Sequence, residues 1–534
     1  MTENFVKVRA KPMAPERRSH TGAWLAAIAC VAAAIAAIGF DAVTGRLGFF
    51  AAPIETAVSS SGRVIKVSPG GSIQVAVDRA ESGDTIELQA GATYFGEIKL
   101  PNKRLTDFVT IRSSAADSLP ANQRVGPANA ASMAKIVARG EGKSAVTAEK
   151  GANHYRFAGI EFTSDGSGYV YNLLLFGNGE AAADLPHDLE IDRCYLHTGK
   201  TGIIRRGIAV NSAKTVIKNS YFEGFGFAGE ETQAIAGWTG TRNIQIVNNY
   251  VEGGAENILF GGADPDSADL IPIDIEIRGN HLNKPAAWAH GVTVKTLFEL
   301  KNAKRVEFIG NLLTNNFQGP ALRITIRDQG GKAPFSTIED VTIRDNVIDH
   351  AADGINILGK DDTYSSQVLK RLTIQNNLFL HLATGGNFDG AGYFIQVSDG
   401  ENIIVSNNTV FNSGNIVSFY GTLPRSFVFR DNIVNHGNYG VHGLEDLKSS
   451  AARSMFAGNV VMNLNNVGSG DMALPPGSIV VSGTKAVGFV DTAAHDYRLA
   501  PSSRFKGKGT NGSDPGCDPK KTGDFPAIPA DAGE

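Results

Sequence analysis

IEIRGNHL (residues 275–282) alternates apolar Ile275 and Ile277 with charged Glu276 and Arg278, then places Asn280 before another apolar pair. Alternation of period two marks a half-buried strand, and the Gly-Asn that follows marks a sharp corner. The same word returns as VEFIGNLL (306–313), VTIRDNVI (341–348), LTIQNNLF (372–379), IIVSNNTV (403–410), FVFRDNIV (427–434) and MFAGNVV (455–461). Earlier copies are LEIDRCYL (189–196), VIKNSYF (216–222) and IQIVNNYV (244–251). The corner residues are Cys194, Ser220, Asn249, Asn280, Asn311, Asn346, Asn377, Asn408, Asn432 and Asn459, spaced 26, 29, 31, 31, 35, 31, 31, 24 and 27 residues apart. A period of this size, held over so many copies, is a solenoid.

A second strand follows in each unit, as in LFELKN (297–302), LRITIRD (322–328), GINILG (354–359), FIQVSD (394–399) and NIVSFY (415–420). No helical pattern between units is long enough for a βαβ crossover, so each strand must pair with its counterpart in the next coil. Asparagine suits the corner because it tolerates the left-handed conformation, and copies stacked about 4.8 Å apart can bond along a ladder. Cys194 in that column reads as a buried thiol.

Composition agrees. The 534 residues are 42% hydrophobic and 19% charged, enough to bury a large core, and 61 glycines without a collagen period fit many tight turns. A formal net charge of −4 leaves no broad basic surface and argues against nucleic acid as the main partner. The three cysteines, Cys30, Cys194 and Cys517, form neither a disulfide framework nor a metal-site spacing.

Residues 22–40 (GAWLAAIACVAAAIAAIGF) carry no charge and are long enough to nearly cross a bilayer. Lys7, Arg9, Lys11, Arg17 and Arg18 precede them and Asp41 follows, so the positive-inside bias places the N-terminus in the cytoplasm and the rest outside. The expected organisation is a basic cytoplasmic segment (1–21), a transmembrane signal-anchor (22–40), a linker (41–62), the solenoid (63–510) and a C-terminal tail (511–534). The expected location is the bacterial inner membrane, single-pass, with the solenoid periplasmic or extracellular.

A solenoid end needs a cap to cover its open strand edges. Residues 72–81 supply one as a short amphipathic helix with Ile73, Val75, Ala76 and Val77 apolar. The entry IQ..VD.A..GDTI.L..G.TY followed by Asn-cornered coils resembles the right-handed parallel β-helix of the pectate-lyase-like superfamily, and GFVDTAAHDYRLAPSSRFKGKGT (488–510) resembles the closing coil of bacterial members. The resemblance implies an all-β, single-stranded right-handed parallel β-helix with an N-terminal helical cap. It does not choose among lyases, hydrolases, epimerases, esterases and binding proteins.

Alternation indicates which side chains leave the cylinder. Val294, Thr296, Phe298 and Leu300 face in, placing Lys295, Leu297, Glu299 and Lys301 outside; Leu322, Ile324 and Ile326 face in, placing Arg323, Thr325 and Arg327 outside. Four cations and one carboxylate thus crowd two adjacent coils, a patch suited to an acidic polysaccharide. In β-elimination of a uronate the sugar carboxylate is neutralised by cations or Ca2+, and a Lys or Arg removes the proton at C5. Lys301 and Arg323 are the candidate base and acid, and Lys295 and Arg327 the candidate carboxylate binders. Trp238 is a candidate for stacking on sugar, and Glu256, Asp264 and Glu299 are candidate oxygen ligands for Ca2+. Nearby polar residues are Arg205, Arg206, Gln233 and Asn257 upstream, and Asp353, Asn356, Lys360, Asp361 and Asp362 downstream.

The Gly-His-Gly and Arg-Ile-Lys words of polygalacturonase-like hydrolases are absent, although Asp361-Asp362 offers a carboxylate pair. Three readings therefore stay open: a membrane-tethered lyase or C5 epimerase on an acidic polysaccharide, a non-catalytic polysaccharide-binding, exopolysaccharide-secretion or cell-surface structural protein, and a glycoside hydrolase.

Overall fold

Every strand of the repeat pairs in parallel with its counterpart one coil on, as in Ile244↔Ile275, Ile275↔Val306 and Val306↔Val341. The computed structural model describes residues 62–518 apart from 180, 200, 444–454, 464–473 and 475–476. Among these, one parallel sheet of 14 strands carries the strands before the Asn corner. A second sheet of 24 strands carries the two strand columns after it, which run on as single strands in Leu312–Thr325 and Val347–Leu358. One coil reads Ile273–Arg278, the corner at Gly279 and Asn280, His281–Asn283, a connecting loop, then Thr296–Leu300. The expected membrane segment lies outside the described residues; within them no helix is long and apolar enough to cross a membrane.

Inward residues stack coil on coil, as Ile258, Phe298, Leu322, Ile355 and Ile395 do in register. The Phe298 ring stacks on Phe308 of the opposite wall at 4.4 Å, and burying such a side chain contributes roughly 2–3 kcal/mol. The Asn column forms the expected ladder: from Asn249 to Asn459 each Nδ2 donates to the next Oδ1 at 2.9–3.2 Å. The same oxygen accepts the backbone N–H of the preceding Asn. The backbone reason expected for these asparagines is corrected. The left-handed residue is the one before each: Asn248, Gly279, Gly310, Asp345, Asn376, Asn407, Asp431 and Gly458 all have positive φ, and the ladder asparagines do not. Gly, Asn and Asp hold that position because they visit this region at least expense, while the ladder position selects for a side chain with both donor and acceptor.

The cap is a helix over Ile73–Arg79, with Ser72 Oγ accepting the Val75 N–H. Ile73, Ala76 and Val77 are buried, but Val75 is exposed because it falls off the i, i+3, i+4 face. At the other end, strands Phe489–Asp491 and Asp496–Leu499 form an antiparallel hairpin, and Val487, Leu499 and Phe505 pack on Ile433, Val460 and Met462. The tail expected from residue 511 is packed through residue 518. It runs back along the Asn corner, with Cys517 N–H on Thr409 Oγ1 and Asp518 N–H on Asn376 Oδ1.

Candidate functional site

The third strand column builds the site. Leu259, Glu299, Arg323, Asn356 and Gln396 follow each other in register on its outer face. A groove of about 260 Å³ there is lined by Lys295, Glu299, Lys301, Arg323, Thr325, Arg327, Gln329 and Asn356. The four cations and one carboxyl expected from alternation are thus brought together. Leu297 is a correction: expected outside, it is fully buried in the core. At the strand's entrance Thr296 Oγ1 donates to Ala321 O and both Thr296 and Leu297 are fully buried, and only from Phe298 on does alternation set Glu299 and Lys301 toward the groove.

The cations differ in how firmly they are held. Lys295 pairs with Glu231 and lies 4.0 Å from Glu256, and Arg327 pairs with Asp362 and lies 3.6 Å from Asp361. Lys301 stands 3.9 Å from Glu299. Arg323 makes no ion pair with any described residue, and its Nε is buried without a hydrogen-bond partner. Burial pushes the Glu299 carboxyl well above the usual carboxylate range, helped by the Glu256 charge and opposed by Lys301 and Arg323. Lys295 holds the Glu231 carboxyl below that range.

Glu256 and Glu299 are both buried on adjacent coils, and Glu256 Oε1 has no hydrogen-bond partner. Its other oxygen accepts from Gln233, which in turn accepts from Arg206 Nε. The Arg206 guanidinium sits 4.8 Å over the Trp238 ring, which places Trp238 on this upstream ladder and not among the groove-lining residues. Asp264 is in a different setting: its two oxygens accept the backbone N–H groups of Gln329, Gly330 and Lys332, fastening two loops above the groove. Asp361 is buried and accepts from Asp328, Thr363 and Tyr364 N–H groups, so it holds a turn.

Sequence reasoning missed Glu231 and Gln329, which reach the groove from loops whose approach no strand periodicity encodes. It also placed Asn257 among cleft residues. Its side chain instead lies buried, donating to Val251 O and Asn283 O.

No family model matches the sequence, and no curated protein matches it. Among solved structures the chain is similar to the PL6 family alginate lyase AlyGC, with TM-score 0.51 and 13% identity over 87% of this chain and 59% of that one. It is also similar to a mannuronic acid specific family 6 lyase from human gut microbiota (TM-score 0.41, 12% identity, 78% and 91% covered). A third likeness is to the catalytic unit of the GH87 α-1,3-glucanase from Streptomyces thermodiastaticus (0.44, 11%, 80% and 69%). The chain spans about three-fifths of the AlyGC chain, and that likeness shows the fold alone: a right-handed parallel β-helix.

Proposed function

We propose that this β-helix acts on an acidic polysaccharide, cleaving a uronate chain by β-elimination or, through the same first step, inverting it at C5. The observation that carries the reading is Arg323, a guanidinium with a buried, unpartnered Nε and no carboxylate of its own among the described residues, set in a cation-lined groove beside Lys301. A guanidinium without an ion-pair partner in a groove is suited to a planar carboxylate and to the charge that develops beside it. The hydrolase reading is disfavoured because Asp361 holds a turn and Asp362 is paired with Arg327.

In this reading the substrate carboxylate replaces internal carboxylates at Lys295 and Arg327. The Lys301 amine takes the C5 proton, the C4–O4 bond breaks with its electron pair leaving on O4, and Arg323 supplies the proton to O4. The products are a C4=C5 unsaturated uronate and a free hydroxyl, which balances the proton taken. Return of a proton to the opposite face of C5, with no bond broken at C4, is epimerisation.

The residues also fit a hard cation: Glu256 and Glu299 present buried carboxyl oxygens, Glu256 Oε1 without a hydrogen-bond partner, and they would hold Ca2+. Bound there, calcium supplies positive charge to neutralise the uronate carboxylate. Asp264 is assigned to the loop it fastens.

The test incubates the protein with a panel of uronate polymers, with and without chelator, following ultraviolet absorbance of the conjugated double bond. A rise that Lys301→Ala and Arg323→Ala each reduce by roughly 10²–10³-fold or more supports elimination, on the scale of removing a general base or an oxyanion-stabilising donor. No rise and no solvent-derived deuterium at C5 would overturn both chemistries. The same proposal places the solenoid outside the inner membrane, tethered through residues 22–40, which a periplasm-active reporter fused after residue 62 checks.

A further inference from the structure

Away from the groove lining, at the start of the long strand Val347–Leu358, lies a donor cluster that the proposed chemistry does not use. Asp349 pairs in register with Leu380, and Ala351 with Leu382, so His350 and His381 face each other on successive coils. Their rings stack at 4.4 Å. Both ring Nδ1 atoms approach one oxygen, Asp349 Oδ1, at 2.9 Å from His350 and 2.6 Å from His381. Only His381 makes a hydrogen bond there; His350 Nδ1 is buried without one. One coil earlier the same register position is Asn315, whose Oδ1 is also buried without a partner.

The backbone repeats along with the side chains. Asn315, His350 and His381 have φ of 64°, 58° and 50°, three consecutive coils with a non-glycine residue in the left-handed region. Such conformations are disfavoured for most side chains, so a column of them is a feature the surrounding structure maintains. The Phe388 ring lies 5.9 Å from the His350 ring, while the His381 side chain is 45% exposed, so an ion could enter from solvent on that side.

We propose that Asp349, His350 and His381 bind a divalent first-row transition cation, of which zinc is the test ion, and that this ion clamps two neighbouring coils. Two imidazole nitrogens and one carboxylate oxygen form a borderline-soft set that favours such ions over calcium. Metal–ligand bonds of about 2.0–2.1 Å place tetrahedral ligand atoms roughly 3.3 Å apart, so the present spacings of 2.9 and 2.6 Å open by about 0.4 and 0.7 Å through side-chain rotation. Asn315 Oδ1, at the same register position one coil earlier, is the candidate for a fourth ligand.

The experiment strips the full chain of metal, dialyses it against micromolar zinc in millimolar calcium at neutral pH, and measures bound zinc and the thermal midpoint. The expected result is one zinc per chain and a raised midpoint, both abolished in Asp349→Asn and in His381→Gln and both kept in Lys301→Ala. Cobalt in place of zinc should give visible d–d absorption that His350→Gln weakens. The partly exposed His381→Gln keeps the test interpretable if Asp349→Asn fails to fold. Zinc uptake by wild type that is absent, or unchanged in His381→Gln, overturns the site and leaves a proton-linked His–Asp–His stack. Neither outcome bears on the groove, whose test has its own readout.

Discussion

Lys284 is completely buried, and its Nζ donates to Gly253 O at 2.7 Å, Gly254 O at 2.6 Å and Asn257 Oδ1 at 3.0 Å. Three N–H donors meet three acceptors, although burial pushes the ammonium down to about 7. Lys284→Met should destabilise the protein by roughly 2–4 kcal/mol in urea unfolding, because buried acceptors lose their partner. Asp353 is the opposite case. It accepts the Ala391 N–H, and burial pushes its carboxyl up to about 6 from 3.8. Its folded pKa being the higher one, its contribution is fully present below about pH 4 and is lost as pH rises through about 6. The loss is on the order of 2–3 kcal/mol. Asp353→Asn should therefore flatten unfolding free energy across that window; an unchanged slope would count against the assignment. Neither residue shows in the repeat, since Lys and Asp read as surface residues until a fold surrounds them.

At the scale of an element, the Asn ladder was legible and its cause was only half legible. Periodicity located the column, and the structure adds that each Oδ1 takes two donors while the preceding residue carries the left-handed backbone. Asn346→Ala would remove the acceptor for Asn311 N–H and Nδ2 and the donor for Phe308 O, all buried. A loss of roughly 3–5 kcal/mol is expected, measured by denaturant unfolding against wild type. The strand Thr296–Leu300 shows the limit of alternation. Glu299 and Lys301 line the groove as alternation sets them, but Leu297, at the strand's entrance, is fully buried in the core. Alternation describes a strand inside a regular sheet, and a strand end is shaped by the loop that delivers it.

At the scale of the molecule, a solenoid is held by contacts between neighbouring coils, so its ends decide how it frays. Residues 510–518 cross several coils at once, with Thr510 on Asp431, Cys517 on Thr409 and Asp518 on Asn376. Truncation after Lys508 should speed hydrogen exchange in Arg425–Arg430 and Thr409–Asn412 at least tenfold and leave Ile203–Val210 unchanged. A uniform change along the chain would show instead that the coils unfold as one unit.

What the sequence by itself determined is the architecture: the coils, their corners, the cap, and the outward cations Lys295, Lys301, Arg323 and Arg327. These follow from period two within a strand and a period near 31 between coils, both local properties of the chain. What only the tertiary structure decided is which groups are left without a partner. Lys295 is paired by Glu231 from a distant loop, Asp264 by backbone amides, and Arg323 by no described carboxylate. The Asp349, His350 and His381 cluster likewise forms across a coil boundary. Stacking brings together residues about 30 positions apart, and loops of unequal length add others, so the pairing of charges is settled only once the coils are wound.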